Sequence, residues 1–232
     1  MTDMQSQATT TERILDAAER LFADHGFEGT SIRAIVDAAK VNLASIHYHF
    51  RSKEALLEAV LTRRISIVTE ARLQRLNEAE AAAAPHSPPV EEILRAFIVP
   101  TIEFAHRNES TATFVQLMSR MFTEPRFSMT DFLGRKFGEM IERFSTALVR
   151  ALPELPPEIV LWRAFFTMGA MHHLLCSAGK VDLLSKGLRN STSDNAMTEY
   201  LVEFSVAGMR ATSHTRLAKR SKSKTSHSRK HR

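Results

Sequence analysis

Residues Thr30 to Lys53 read TSIRAIVDAAKVNLASIHYHFRSK. Ile32, Ile35, Val36 and Ala39 recur at spacings of three and four, which predicts a short amphipathic helix begun by Thr30 or Ser31 as an oxygen-bearing cap. Lys40-Val41-Asn42 breaks the pattern, and Ala44, Ile46 and Phe50 resume it as a helix of barely two turns. Ser52 then caps a longer helix whose Leu56, Leu57, Val60, Leu61, Ile65 and Val68 form an apolar stripe running toward Asn77. Upstream, Ile14, Ala18, Leu21 and Phe22 share one face of a first helix from Thr10 to His25, with Thr9 to Glu12 (TTTE) as its capping box. Three small helices around one interior, Phe50 included, therefore precede a long strut.

A helix, a turn and a second short helix is the arrangement in which the second helix enters the major groove of DNA and the first crosses the backbone. Small residues near the start of the reading helix let it approach base edges in a groove about 12 Å wide, and Ala44 and Ser45 meet that need. Asn42 and His47 carry groups for base readout, Asn being suited to bidentate pairing with adenine. Tyr48 and Lys53, near the start of the following helix, are placed for phosphates, as are the hydroxyl and neighbouring amides of Thr30. The candidate DNA-binding set is Thr30, Ser31, Arg33, Lys40, Asn42, Leu43, Ala44, Ser45, His47, Tyr48 and Lys53.

From about Thr11 to Val68, the opening helix, HGFEGTSIRAIVDAAKV, the short helix ending IHYHF and SKEALL at the next helix together resemble the TetR family of bacterial repressors. Lys40 stands where that family usually has glycine, and His47 where it often has tyrosine. The resemblance implies an all-α fold: an N-terminal helix-turn-helix domain joined by a long fourth helix to a C-terminal bundle that holds a ligand and pairs with a second copy through its last two helices. It implies a homodimer on double-stranded palindromic operator DNA, half-sites about one turn apart, released by a small molecule that spreads the reading helices. A likeness of QLMSRMFTEP, RALPELPPE and WRAFFTMGAMHHLL to relatives answering to fatty acids or acyl thioesters suggests an acyl compound, and a flat aromatic or a drug would suit the same walls.

Residues 79 to 89, AEAAAAPHSPP, mix a fraying alanine run with prolines that end helices. Amphipathic segments follow at about 90–107, 110–123, 129–151, 157–178 and 194–211, with stripes at Leu133, Phe137, Met140, Phe144 and Leu148 and at Leu161, Phe165, Met168, His172 and Leu175. The chain divides into a disordered start (1–8), a helix-turn-helix domain (9–55), a helical ligand-binding and dimerisation domain (56–213) and a disordered tail (214–232). The second helical domain is rich in Phe and Met, which fill a core or wall an adaptable cavity. Phe104, Met118, Met121, Phe122, Phe137, Met140, Trp162, Phe165, Phe166, Met168 and His172 are the candidate ligand-binding residues, with Arg120, Arg163 or His172 to pair a carboxylate.

No cofactor or metal is expected. His172 and His173 are neighbours, which on a helix point about 100° apart and cannot share an ion unaided. The single cysteine, Cys176, is read as a small buried hydrophobe. No nucleophile elbow, phosphate-binding glycine loop, HExxH or paired acidic site points to an enzyme. Without an apolar leader or a run of about 18 uninterrupted apolar residues, neither export nor membrane contact is expected, and the location reads as cytoplasmic. The formal charge of +5 is a property of the tail: residues 214 to 232 hold eight Lys or Arg and no acid, leaving 23 bases against 26 acids elsewhere. The competing reading is a nonspecific nucleic-acid-binding protein driven by that tail.

Overall fold

The computed structural model describes residues 2–184 and 194–212, all of whose regular structure is helical. The helices are α1 (Thr2–Gly29), α2 (Ile32–Ala39), α3 (Leu43–Phe50), α4 (Lys53–Ala83), α5 (Val90–Ala105), α6 (Glu109–Met121), α7 (Met129–Ala151), α8 (Pro157–Leu184) and α9 (Asp194–Arg210). The tail from 214 onward lies outside the described residues.

α1 begins at Thr2, so the first residues join a helix where disorder was expected, and Thr9 is interior rather than a cap. Residues 2–8 contain no Gly or Pro to stop the helix from extending upstream. Its far end changes direction at Gly26, whose φ of +74° suits a residue without Cβ. Three side-chain caps then organise the small domain. Ser31 Oγ accepts from Ala34 N, Asn42 Oδ1 from Ser45 N and Ser52 Oγ from Ala55 N, each supplying one of the acceptors a helix start lacks. Ile14, Ala18, Phe22, Ile35, Ile46 and Phe50 close over one interior, and Leu56, Leu57, Val60 and Leu61 of α4 seal it from below.

α4 passes the 55/56 boundary without a break and continues through the alanine run to Ala83, past the Asn77 end expected of it. Alanine has the best intrinsic helix propensity, and tertiary packing at Leu76 holds the last turns. The remaining helices form a bundle whose core includes Ile93, Ile98, Leu117, Phe132, Phe144 and Leu148. The α7 stripe is buried as expected apart from the partly buried Leu133. The α8 stripe is not: Leu161, Phe165 and Met168 are exposed, and α8 turns Val160, Ala164, Thr167 and Met171 toward the core instead. By length and composition alone the segment Pro157–Cys176 could cross a membrane, Arg163 and Glu158 notwithstanding. In the fold it packs against α5, α6, α7 and α9.

Candidate nucleic-acid interface and ligand cavity

The exposed side chains of α3, Leu43, Ala44, His47 and Tyr48, follow the i, i+1, i+4, i+5 rhythm of a single stripe, while Ile46 and Phe50 are buried beneath it. Tyr48 is 75% exposed, with its ring edge-on to His49 at 5.0 Å. Leu43, 45% exposed, offers an apolar surface of the kind that meets a thymine methyl. Ser31, Arg33 and Lys40 are exposed around this stripe. Lys53 is partly buried because its Nζ lies 4.4 Å from the centroid of the Phe27 ring, leaving an aimed cation at the start of α4. Arg51 was absent from the expected set; it is exposed between α3 and α4, at a φ of +58°. Nothing in periodicity marks such a residue, since it belongs to neither helix.

Two expected contacts are corrected. Thr30 is 2% exposed and its hydroxyl donates to the carbonyls of Leu21 and Gly26, at 2.9 and 2.8 Å. It ties the end of α1 to the start of α2, and Ser31 is the cap. Asn42 spends its Oδ1 on Ser45 N and Ser45 Oγ, both at 2.8 Å, so the bidentate face that adenine would need is already engaged. Ser45 is half-buried in the same cap.

The turn itself is held from outside. Lys40 adopts a left-handed conformation (φ 52°, ψ 50°) as C-cap of α2, the position at which glycine carries no steric penalty. Arg13 of α1 donates to the carbonyls of Ala39 and Lys40 at 2.5 and 2.6 Å, placing a cation on the negative end of α2.

The bundle encloses a cavity of about 230 Å³ between α4, α5, α6, α7 and α8. Phe104, Met118, Phe122, Met140, Met168 and His172 line it, together with Ile65, Val68, Leu94, Phe97, Phe114, Leu133, Phe144 and Met171. Five of the expected residues do not. Met121 and Phe137 are core residues at 1% and 6% exposure, and Trp162, Phe165 and Phe166 stand on the outward face of α8 at 56%, 60% and 62%. An apolar helix offers no periodic signal to separate an inward face from one kept for a partner.

The expected carboxylate partners also move. Arg120 is exposed, and Arg163 donates to the Met209 carbonyl at 2.7 Å. His172 does line the cavity, its ring 4.3 Å from that of Phe122 and its Nε2 3.4 Å from the half-buried Cys176 Sγ. Burial, aided by the neighbouring charge of His173, lowers the His172 pKa.

Sequence reasoning missed Arg72. It is 7% exposed in the cavity wall, donating from Nε to the Phe97 carbonyl at 2.9 Å and from Nη2 to Thr101 Oγ1 at 2.6 Å, its guanidinium 3.8 Å from the centroid of the Phe97 ring. Burial pulls its pKa down to about 9, so it keeps its charge at neutral pH. The signal was available: Arg72 sits four residues after Val68 and four before Leu76, in phase with the buried stripe of α4.

The family model described as "Bacterial regulatory proteins, tetR family" matches residues 14–60, and "Tetracyclin repressor-like, C-terminal domain" matches residues 95–208. The HTH-type transcriptional regulator UidR of Escherichia coli K12 is 33% identical over 94 residues, covering 40% of this chain and 41% of UidR. The HTH-type transcriptional repressor KstR2 of Mycolicibacterium smegmatis is 27% identical over 130 residues, covering 56% and 60% of the two chains. The chain thus spans between about two fifths and three fifths of the length of these relatives. The fatty acid degradation regulator FadR from Bacillus halodurans superposes with a TM-score of 0.58 over 88% of this chain and 97% of its own, at 18% identity. The hemolysin II transcriptional regulator HlyIIR does so at 0.56 over 85% and 97%, also at 18% identity, and both share the all-α fold. With both halves matched in order, the chain belongs to the TetR family of transcriptional regulators.

Proposed function

We propose that this regulator is a dimeric repressor released from a palindromic operator when a hydrophobic small molecule fills the bundle cavity. The observation that carries the reading is that one helix serves both ends: α4 closes the small domain with Leu56, Leu57, Val60 and Leu61 and walls the cavity with Ile65, Val68 and Arg72. α6 gives a second route, since Phe114 and Met118 line the cavity while Gln116 donates to the Ala23 carbonyl of α1 at 3.0 Å. A ligand that binds more tightly when α4 and α6 are shifted moves the population toward a state whose reading helices miss their half-sites.

The exposed aromatic surface supports dimerisation. Trp162, Phe165 and Phe166 of α8 and Tyr200 and Phe204 of α9 are all more than half exposed, a patch that a second copy would cover by isologous packing. The acyl character of the effector rests on the Phe and Met walls and on the name of the structural neighbour, a fatty acid degradation regulator. In this reading α3 enters the groove with Leu43, Ala44, His47 and Tyr48, while Ser31, Arg33, Lys40 and Lys53 face phosphates, and the protein works in the cytoplasm.

Fluorescence anisotropy on operator DNA tests the assignment. Replacing Tyr48 and Lys53 together with Ala should abolish specific binding while circular dichroism shows the helical fold intact. Unchanged affinity would exclude these two residues from the interface.

A further inference from the structure

Among the described residues, the cavity wall contains no Asp or Glu and only one residue whose charge is fixed at neutral pH, Arg72. A guanidinium offers five N–H donors, and here two are spent on uncharged acceptors, Phe97 O and Thr101 Oγ1. No carboxylate among the described residues pairs with it; the nearby arginines of α4 do have such partners, Arg63 and Arg64 at Glu19 and Arg75 at Glu103. A charge held in a nonpolar site without a counter-ion is unfavourable, and buried charges are as a rule paired. Arg72 is therefore a half-made ion pair facing an apolar space. Phe122, Ile141 and Met168, which are partly open to solvent, mark an accessible part of the wall.

We propose that the effector is a free long-chain carboxylate whose head group pairs with Arg72, beside Thr101, and whose hydrocarbon chain lies along the Phe and Met walls toward Phe122. This rests on the cavity being the effector site, and it narrows the chemistry. A thioester is neutral at its carbonyl and carries a nucleotide whose several phosphates would find a single cation here, whereas one carboxylate matches one guanidinium, forked donor to forked acceptor. Arg72 thus selects for the monoanion, and the apolar wall selects for the chain.

Isothermal titration calorimetry of the full chain without DNA decides it, using dodecanoate, 1-dodecanol and dodecanoyl-CoA, on the wild type and on Arg72→Gln. Dodecanoate should bind the wild type about tenfold or more tighter than dodecanol, as expected for a charge-assisted bond. Arg72→Gln should bind dodecanol as the wild type does and lose the preference for the acid. Equal wild-type affinity for acid and alcohol, tightest binding by the thioester, or a preference that survives in Arg72→Gln overturns the head-group assignment while leaving a hydrophobic effector in place. Binding of none of the three removes the acyl effector itself. If Arg72→Gln does not fold, the wild-type comparison of acid with alcohol still decides.

Discussion

Arg64 of α4 grips the carboxylate of Glu19 of α1 with two roughly parallel bonds, Nε to Oε2 and Nη2 to Oε1, both at 2.9 Å. Glu19 is 2% exposed, and Arg63 reaches the same carboxylate at 2.8 Å while also pairing with Glu12 and Asp16. Arg64 further donates to Ser110 Oγ at the start of α6. One buried acid thereby joins α1 to α4 and, through Arg64, to α6. Glu19→Ala leaves two arginines without their shared partner and should cost about 3 kcal/mol in chemical denaturation. If coupling runs through this cluster, the variant's residual operator binding should also become insensitive to effector. A loss within 0.5 kcal/mol, roughly the scatter of a surface substitution, would mean that the cluster is not structural.

Lys40 is a non-glycine residue in a left-handed turn, a conformation that costs an L-residue on the order of 1 kcal/mol. Lys40→Gly should raise stability by about that amount, seen as a higher melting temperature. If the lysine also touches a phosphate, the salt dependence of operator binding should flatten by about one ion.

Asn42 should behave as a cap and not as a reader. Asn42→Ala is expected to cost about 1 kcal/mol, and Asn42→Asp or Asn42→Ser to restore it. Loss of preference at a single A·T pair in Asn42→Ser, with stability retained, would reinstate adenine recognition.

These cases show why the fold was more legible than its sites. Helix order and most boundaries follow from apolar spacing, caps and proline, and α5, α6, α7 and α9 fall within a few residues of the spans read from periodicity. Exposure is another matter. Thr30 and Ser31 are adjacent hydroxyls, and only the packing of α1 decides that the first is consumed inside and the second caps. Trp162 and Phe166 read as cavity residues yet stand exposed, because a helix apolar on all sides carries no inward direction. Arg72 carries a charge that by type belongs at the surface, although its phase along α4 places it inside.

The burial of His172 gives a pH signature. Its folded pKa lies below the ordinary value, so protons bind the unfolded chain more readily, and stability must fall as pH drops below about 6.5. The loss is complete once pH has passed the lowered folded value, and above about 6.5 His172 contributes no slope. The melting-temperature difference between wild type and His172→Gln should be flat above that pH and turn against the wild type below it. A difference that stays level on acidification would place His172 in a solvated environment.

Phe165→Lys combined with Phe204→Asp should convert dimers to monomers in analytical ultracentrifugation, with little change in each chain's helicity, because both side chains are more than half exposed in the single chain. Operator binding should then weaken strongly, since each monomer can hold only one half-site. Persistence of the dimer would move the interface away from α8 and α9.

The most direct measurement is fluorescence anisotropy of the full chain on palindromes from its own upstream DNA, at about 150 mM salt with excess competitor DNA, before and after adding dodecanoate. An effector-released repressor should bind one palindrome in preference to competitor and leave it as the carboxylate is added. Binding with no preference over competitor, or specific binding that no acyl compound alters, would contradict it.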